Sequence, residues 1–250
     1  MNRLVIKIVL LYFLSSTLIY ILFQIASLFI EPSEYFDFTK RIASEIIVMT
    51  TPIIYGLRRV EPVDIFNQKL NKKGYFQFLL SILAVISLLF ITILLHQESS
   101  QKDPMEAFYF SKAGMVMIVL IVPILEEVFF RGIILTLLLK QLSVTRAIPI
   151  TSVFFGIMHL GTSWNAGFTA IIFSIIISYL FISTKSVLPC IALHMFNNGL
   201  VYILYYIDRE YYSIPPSTGW FFIPVLLASI YYLRKNYRQR DNNLSKVSQR

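Results

Sequence analysis

The stretch Ala113–Leu139 reads AGMVMIVLIVPILEEVFFRGIILTLLL, and its only ionisable residues are Glu126, Glu127 and Arg131. A helix needs about 20 apolar residues to cross a hydrocarbon core of about 30 Å, at a rise of about 1.5 Å per residue. In lipid every backbone N–H and C=O must be satisfied within the protein, so a run of this length is expected to be helical. The stretch therefore predicts a transmembrane helix that carries three charged groups near its middle.

Seven further apolar runs predict more spans of the same kind. They are Leu4–Ile30, Ile42–Leu57, Tyr75–Leu95, Ala147–Leu160, Gly167–Ile182, Val187–Ile207 and Trp220–Leu233. The chain is 56% hydrophobic and 14% charged, with a mean hydropathy of +0.68, which a water-soluble domain of this size could not bury. The predicted fold is an all-α polytopic membrane protein, a bundle of about eight helices with the active site inside. Seven is the alternative count, if Met1–Thr51 forms one span.

The basic residues predict the orientation of the chain. With both termini in the cytoplasm, 16 of the 22 lysines and arginines fall on the inside, five fall outside and Arg131 lies within a helix. This asymmetry follows the positive-inside rule. It also explains the net charge of +8 through topology and attraction to anionic lipid, so no nucleic acid partner is expected. We expect a multi-pass protein of the cell membrane with both termini cytoplasmic.

The first polar cluster is Glu126, Glu127 and Arg131, in the fourth span. Ionisable groups inside a membrane are costly, which makes each one a candidate for function. Glu127 and Arg131 are four residues apart and share a helix face, where they can neutralise each other. Glu126 is rotated by about 100° from Glu127. We therefore expect Glu127 and Arg131 to form a structural ion pair, and Glu126 to serve as a general base for water.

Two further clusters lie on the fifth and seventh spans. Phe155 and His159 are four residues apart, and His194 and Asn198 have the same spacing, which places each pair on one helix face. His194 and Asn198 offer two donors to one point, whereas Asn197 is turned away and is expected to cap or tie a neighbouring helix. Each cluster alone is explained as polar contacts between helices. Together the three supply a base, a proton carrier and donors for an oxyanion, as peptide-bond hydrolysis requires.

These motifs resemble a known family. Glu-Glu-x-x-x-Arg, Phe-x-x-x-His and His-x-x-x-Asn on separate membrane helices are similar to the CPBP (CAAX protease and bacteriocin-processing, or Abi) intramembrane proteases. The resemblance covers about residues 113–207 and also includes Gly132 and Val187-Leu-Pro189. It implies that Glu126 activates water with assistance from His159, and that His194 and Asn198 hold the oxyanion. Supporting roles then fall to Glu127 and Arg131.

Zinc is the cofactor to weigh, because Glu126, His159 and His194 could form a two-histidine, one-carboxylate site. The sequence lacks an H-E-x-x-H helix, which would place two ligands on one face. The resemblance implies a glutamate-dependent enzyme, so we expect no metal and no other cofactor.

The resemblance also implies the partners and the division of the chain. The glycine-poor composition, rich in Ile, Phe and Lys, favours a bacterial member acting on a hydrophobic or membrane-associated peptide or protein within the lipid bilayer. Residues 1–110 are expected to form about three N-terminal transmembrane helices, and residues 111–210 the catalytic helical core. The last transmembrane helix and a basic cytoplasmic tail occupy residues 211–250. The oligomeric state is left open.

Two other functions use the same polar residues. A non-catalytic bacteriocin-immunity or scaffold protein would use them as helix ties or as a pocket for a peptide or partner. A small transporter would use Glu126 and the histidines as a proton relay. The lack of a sequence repeat counts against the transporter.

Overall fold

The structure of the protein is a computed structural model that describes residues 3–30, 34–58, 70–95, 111–160, 163–207 and 216–247. Within these ranges the chain forms eight helices and no strand. Their bounds are α1 Arg3–Ala26, α2 Glu34–Leu57, α3 Lys72–Leu95, α4 Lys112–Leu139, α5 Val144–His159, α6 Trp164–Thr184, α7 Leu188–Ile207 and α8 Pro216–Val247. Each helix overlaps one predicted span, and the predicted all-α polytopic membrane fold is confirmed.

The helices differ in how well they could cross a membrane alone. Among the described residues, four stretches are long and apolar enough: Arg3–Ala26, Lys72–Thr92, Lys112–Leu139 and Trp164–Thr184. Shorter apolar stretches are Ile46–Leu57, Val144–His159 and Leu188–Ile203. The short ones carry polar or helix-breaking residues at an end or inside the run, which lowers the length available for the hydrocarbon core.

The contacts divide the chain into two compact units. The first unit comprises Met1–Val63 and Lys102–Ser143, and the second comprises Asp64–Gln101 and Val144–Arg250. The first therefore holds α1, α2 and α4, and the second holds α3 and α5–α8. These two units are defined by contacts between residues. The predicted division into residues 1–110, 111–210 and 211–250 is based on the motifs and stays a prediction.

In the first unit, α1 and α2 pack together and α2 packs on α4. The ring of Tyr12 on α1 lies 5.7 Å from that of Phe129, measured between centroids. Gly56 on α2 faces Ile133, whose side chain would be 2.8 Å from a Cβ added there. The glycine thus allows a close approach of α2 to the buried face of α4, where Phe129, Phe130 and Ile133 are fully enclosed.

The helix α4 is not a regular α-helix. A π-helical turn, Met117–Ile121, precedes an α-helical segment, Val122–Glu127, and a longer π-helical segment follows over Val128–Leu135. Pro123 has no N–H to donate to the preceding turn, which accounts for the first irregularity. At the end of the second π-helical segment, Thr136 Oγ1 donates to the carbonyl of Arg131, five residues earlier, at 2.9 Å. The helix therefore departs from regular α-helical geometry on both sides of the segment that carries Glu126 and Glu127.

In the second unit, α5 and α6 form a closely packed hairpin. A Cβ added at Gly156 would lie 2.8 Å from the carbonyl oxygen of Gly167 and would also meet Ile171. Both glycines are buried, so the two backbones approach each other directly. Small residues permit this kind of packing between membrane helices. The approach lies one turn before His159, so the hairpin packing also sets the position of that residue.

The other helices of the second unit pack around α3. Near one end of α3, Lys73 Nζ donates to the carbonyl of Asn236 at 3.4 Å; near the other, Phe90 stacks on Phe222 with centroids 4.5 Å apart. These two contacts show that α3 and α8 run antiparallel. The hydroxyls of Thr92 and Thr169 lie 3.3 Å apart and join α3 to α6.

Candidate active site

The two glutamates of the first motif lie in the α-helical segment of α4 and are both buried. Glu127 is fully enclosed, whereas 8% of the surface of Glu126 is exposed. The two side chains leave adjacent positions of an α-helical turn and therefore point about 100° apart. The helix backbone therefore directs the two carboxylates toward different surroundings, as the sequence predicts.

The predicted ion pair between Glu127 and Arg131 is confirmed. Arg131 Nη1 donates to Glu127 Oε1 at 3.0 Å, and neither side chain has any exposed surface. The guanidinium packs beside buried rings, with Cζ 6.0 Å from the centroid of Phe130. Two opposite charges that leave water together avoid the penalty of a single buried charge. The two charges therefore neutralise each other at the position that follows Glu126.

His159 ends α5 with a defined ring orientation. Its Nδ1 lies 2.8 Å from the carbonyl oxygen of Phe155 on the preceding turn. A carbonyl can only accept a hydrogen bond, so Nδ1 carries the proton. In the neutral imidazole Nε2 then holds the lone pair. The ring is half-buried, and this tautomer can accept a proton at Nε2 and return it.

His194 lies in α7 and is enclosed by aromatic rings. It is 4% exposed, and its ring centroid lies 4.8 Å from that of Phe173 and 6.2 Å from that of Phe155, both at 64°. Phe155 also packs against His159, with centroids 4.5 Å apart. Phe155 therefore contacts both motif histidines and connects them within the second unit.

Asn198 lies one turn after His194, as the spacing predicts, and is half-buried. Asn197 Nδ2 donates to Asn198 Oδ1 at 3.0 Å. Asn198 Oδ1 accepts in this bond, and the same amide group carries two N–H donors on Nδ2. The structure pairs Asn197 with the adjacent asparagine on α7, and its expected role in capping or tying a neighbouring helix stays a prediction.

Phe173 is the site neighbour that the sequence did not reveal. It lies on α6, which carries none of the three motifs, and is buried at 5% exposure. The helix is apolar on every side, so no period in its sequence separates Phe173 from its lipid-facing neighbours. The contact with His194 arises only from the packing of α6 on α7.

The residues predicted to act together divide between the two units. Glu126, Glu127 and Arg131 belong to the first unit, and His159, His194 and Asn198 belong to the second. Within the described residues of each unit, no group of three His, Cys, Asp or Glu side chains could hold a metal ion. The metal-free site stays a prediction, as does the joint action of the two sets.

The comparisons with known proteins agree with the motifs. Residues 108–200 match the family model described as type II CAAX prenyl endopeptidase, Rce1-like. No curated protein and no solved structure matches the chain. The matched segment contains every predicted site residue: Glu126, Glu127, Arg131, His159, His194 and Asn198. The match supports a CAAX-protease-like hydrolase embedded in a membrane and confirms the resemblance drawn from the three motifs. Over residues 108–200, the chain is therefore similar to the Rce1-like type II CAAX prenyl endopeptidases.

Proposed function

We propose that the protein is an intramembrane glutamic endopeptidase that hydrolyses a peptide bond in a hydrophobic or membrane-associated peptide or protein. The observation that carries the proposal is the occurrence of all three motifs, in order, inside the segment that matches the endopeptidase family. The buried carboxylate of Glu126 and the ordered rings of His159 and His194 are consistent with a site built for chemistry.

In the proposed reaction Glu126 accepts a proton from a water molecule. The water oxygen attacks the carbonyl carbon of the scissile bond, and the carbonyl oxygen becomes an oxyanion. His194 and Asn198 donate hydrogen bonds to that oxygen, which is the role for which fixed donors are most effective. The C–N bond then breaks as its nitrogen receives a proton, with His159 assisting the transfer through Nε2.

In this proposal the ion pair of Glu127 and Arg131 supports Glu126. The pair fills the space beside Glu126 without adding net charge, since the two groups neutralise each other at 3.0 Å. A preorganised support matters because displacement of a reacting group by about 1 Å can cost on the order of 100-fold in rate. We assign both residues a supporting role, in which they hold α4 and the adjacent carboxylate in place.

The setting of the reaction follows from the membrane fold. The substrate reaches the site in the lipid bilayer, and both termini lie in the cytoplasm of a cell-membrane protein, as the distribution of basic residues indicates. The reaction needs no metal or other cofactor in this proposal, because Glu126 activates the water directly.

The decisive test compares the purified wild type with Glu126→Gln in detergent. A panel of internally quenched hydrophobic peptides and a farnesylated CAAX peptide serve as substrates, with and without a zinc chelator. We expect the substitution to lower the cleavage rate by about 100- to 10,000-fold, the usual contribution of a general base. Gln keeps the shape and removes the proton acceptor. Cleavage by the wild type should persist with the chelator.

The controls separate the alternatives. Equal far-ultraviolet circular dichroism of the two proteins would exclude misfolding as the cause of lost cleavage. Full activity of Glu126→Gln would refute the assigned base, and loss of wild-type activity with the chelator would refute the metal-free mechanism. If neither protein cuts any peptide while both still bind one, the non-catalytic immunity or scaffold function replaces the enzyme.

A further inference from the structure

Phe173 is the feature of the second unit that the motifs do not account for. It lies outside all three motifs, yet its ring is closer to that of His194 than the ring of Phe155 is, at 4.8 Å between centroids and an angle of 64°. We propose that Phe173 is a positioning residue that holds the imidazole of His194 in the orientation needed to donate to the oxyanion. The role rests on the proposed function and extends it to a residue of α6.

Phe173 would fix a torsion that the side chain of His194 leaves open. The χ2 angle of histidine is a broad, roughly two-fold torsion, so the side chain alone does not define the ring plane. A donor to an oxyanion must nevertheless be aimed before the charge develops. The orientation must therefore come from neighbours of the ring, and Phe173 is in edge contact with it.

Phe173 acts on His194 together with a ring from another helix. Phe155 on α5 also meets His194 edge-on, at 6.2 Å and 64°, and lies 6.3 Å from Phe173. Edge-to-face contacts of this kind are directional, because the rim of one ring meets the electron-rich face of another. Two such contacts from different helices limit rotation of the imidazole more than either would alone.

Both rings of this contact are buried. Phe173 and His194 are 5% and 4% exposed, so both rings are nearly excluded from water and lipid. Interiors are packed to the density of organic crystals, and a ring in such surroundings has little freedom to move. Replacing Phe173 by leucine keeps an apolar side chain there but removes the aromatic ring that meets the ring of His194.

The same helix offers a matched control. Phe181 lies on α6, is 6% exposed and is thus as buried as Phe173. It lies eight residues further along, about 12 Å at the rise of an α-helix. Phe181→Leu therefore removes an equal ring from the same helix and reports the cost of lost core packing alone.

The test measures kcat and KM of the wild type, Phe173→Leu and Phe181→Leu in detergent on the peptide panel, normalised to the folded fraction. We expect kcat of Phe173→Leu to fall by about 10- to 100-fold, the size of effect that a small misplacement produces, with KM nearly unchanged. Phe181→Leu should keep kcat within about two-fold, since it leaves the histidine ring in place.

A second readout does not depend on activity. The chain has three histidines, so the ring signals of labelled histidine can be assigned by nuclear magnetic resonance. The signal of His194 is the one that disappears in the variant His194→Gln. We expect Phe173→Leu to move this signal and Phe181→Leu to leave it in place. Equal kcat in the two leucine variants, or an unmoved His194 signal in Phe173→Leu, would overturn the role of Phe173. A wild type that cleaves no peptide would instead overturn the proposed function, and the role of Phe173 in it.

Discussion

The carboxylates of α4 and the histidines of α5 and α7 are fixed by different kinds of contact. In the first unit a charged pair, Glu127 and Arg131, is enclosed at 3.0 Å among aromatic rings. In the second, two histidine rings pack against Phe155 and Phe173. The difference follows from chemistry: a buried carboxylate needs a countercharge, whereas a neutral imidazole can pack as a ring and still exchange a proton.

This comparison predicts that the two units respond differently to substitution. The first depends on charge balance, so removing one charge should be far more damaging than removing both. The second unit depends on close packing. Substitutions that add volume should therefore lower its stability most, and substitutions that remove a hydrogen bond should lower it least.

The largest effect is expected from Arg131→Met. The substitution leaves Glu127 buried without its countercharge and should lower the free energy of unfolding by about 3–5 kcal/mol. Denaturant or SDS titration followed by circular dichroism measures the loss. The double variant Glu127→Met with Arg131→Met removes both charges and should recover most of the stability. Equal losses in the single and double variants would show that α4 does not depend on charge balance.

An intermediate effect is expected from Gly156→Ala in the second unit. The new Cβ would meet the backbone oxygen of Gly167 at 2.8 Å as well as Ile171, and backbone cannot rotate away. Overpacking of this kind costs about 1–3 kcal/mol. Gly56→Ala in the first unit is the control, since its Cβ would meet side-chain atoms of Ile133 at 2.8 Å. The same unfolding titration should show the smaller loss for Gly56→Ala, and the reverse order would contradict the backbone contact between α5 and α6.

The smallest effect is expected from Thr92→Val, which removes the hydroxyl contact between α3 and α6. Side-chain hydrogen bonds between membrane helices contribute about 0.6 kcal/mol on average, and Thr92 lies 3.3 Å from Thr169. Thr17→Val is the matched control, because Thr17 Oγ1 donates to the carbonyl of Phe13 on its own helix and is exposed. A loss above that for Gly156→Ala would mean that polar contacts outweigh packing in the second unit.

The sequence predicted the helices well because membrane helices are selected by length and apolarity, which are local properties. It did not predict the π-helical turns around Glu126 and Glu127, because hydropathy carries no information on whether a turn holds 3.6 residues or more. Pro123 was the one local signal that the fourth span would be irregular. The charged pair was predictable, since Glu127 and Arg131 lie within a single helix and their contact depends only on spacing.

The sequence by itself determined the helical membrane fold, the motifs and the pairing of Glu127 with Arg131, since each depends on residues near one another in the chain. Only the tertiary structure decided which rings surround His194, where α5 and α6 touch at Gly156 and Gly167, and that Asn197 pairs with Asn198. The physical reason is that α6 is apolar all round, and in lipid every face of such a helix is equally acceptable to the solvent. The face that meets His194 is therefore set by the shapes of the neighbouring helices, which no periodicity in the sequence of α6 records.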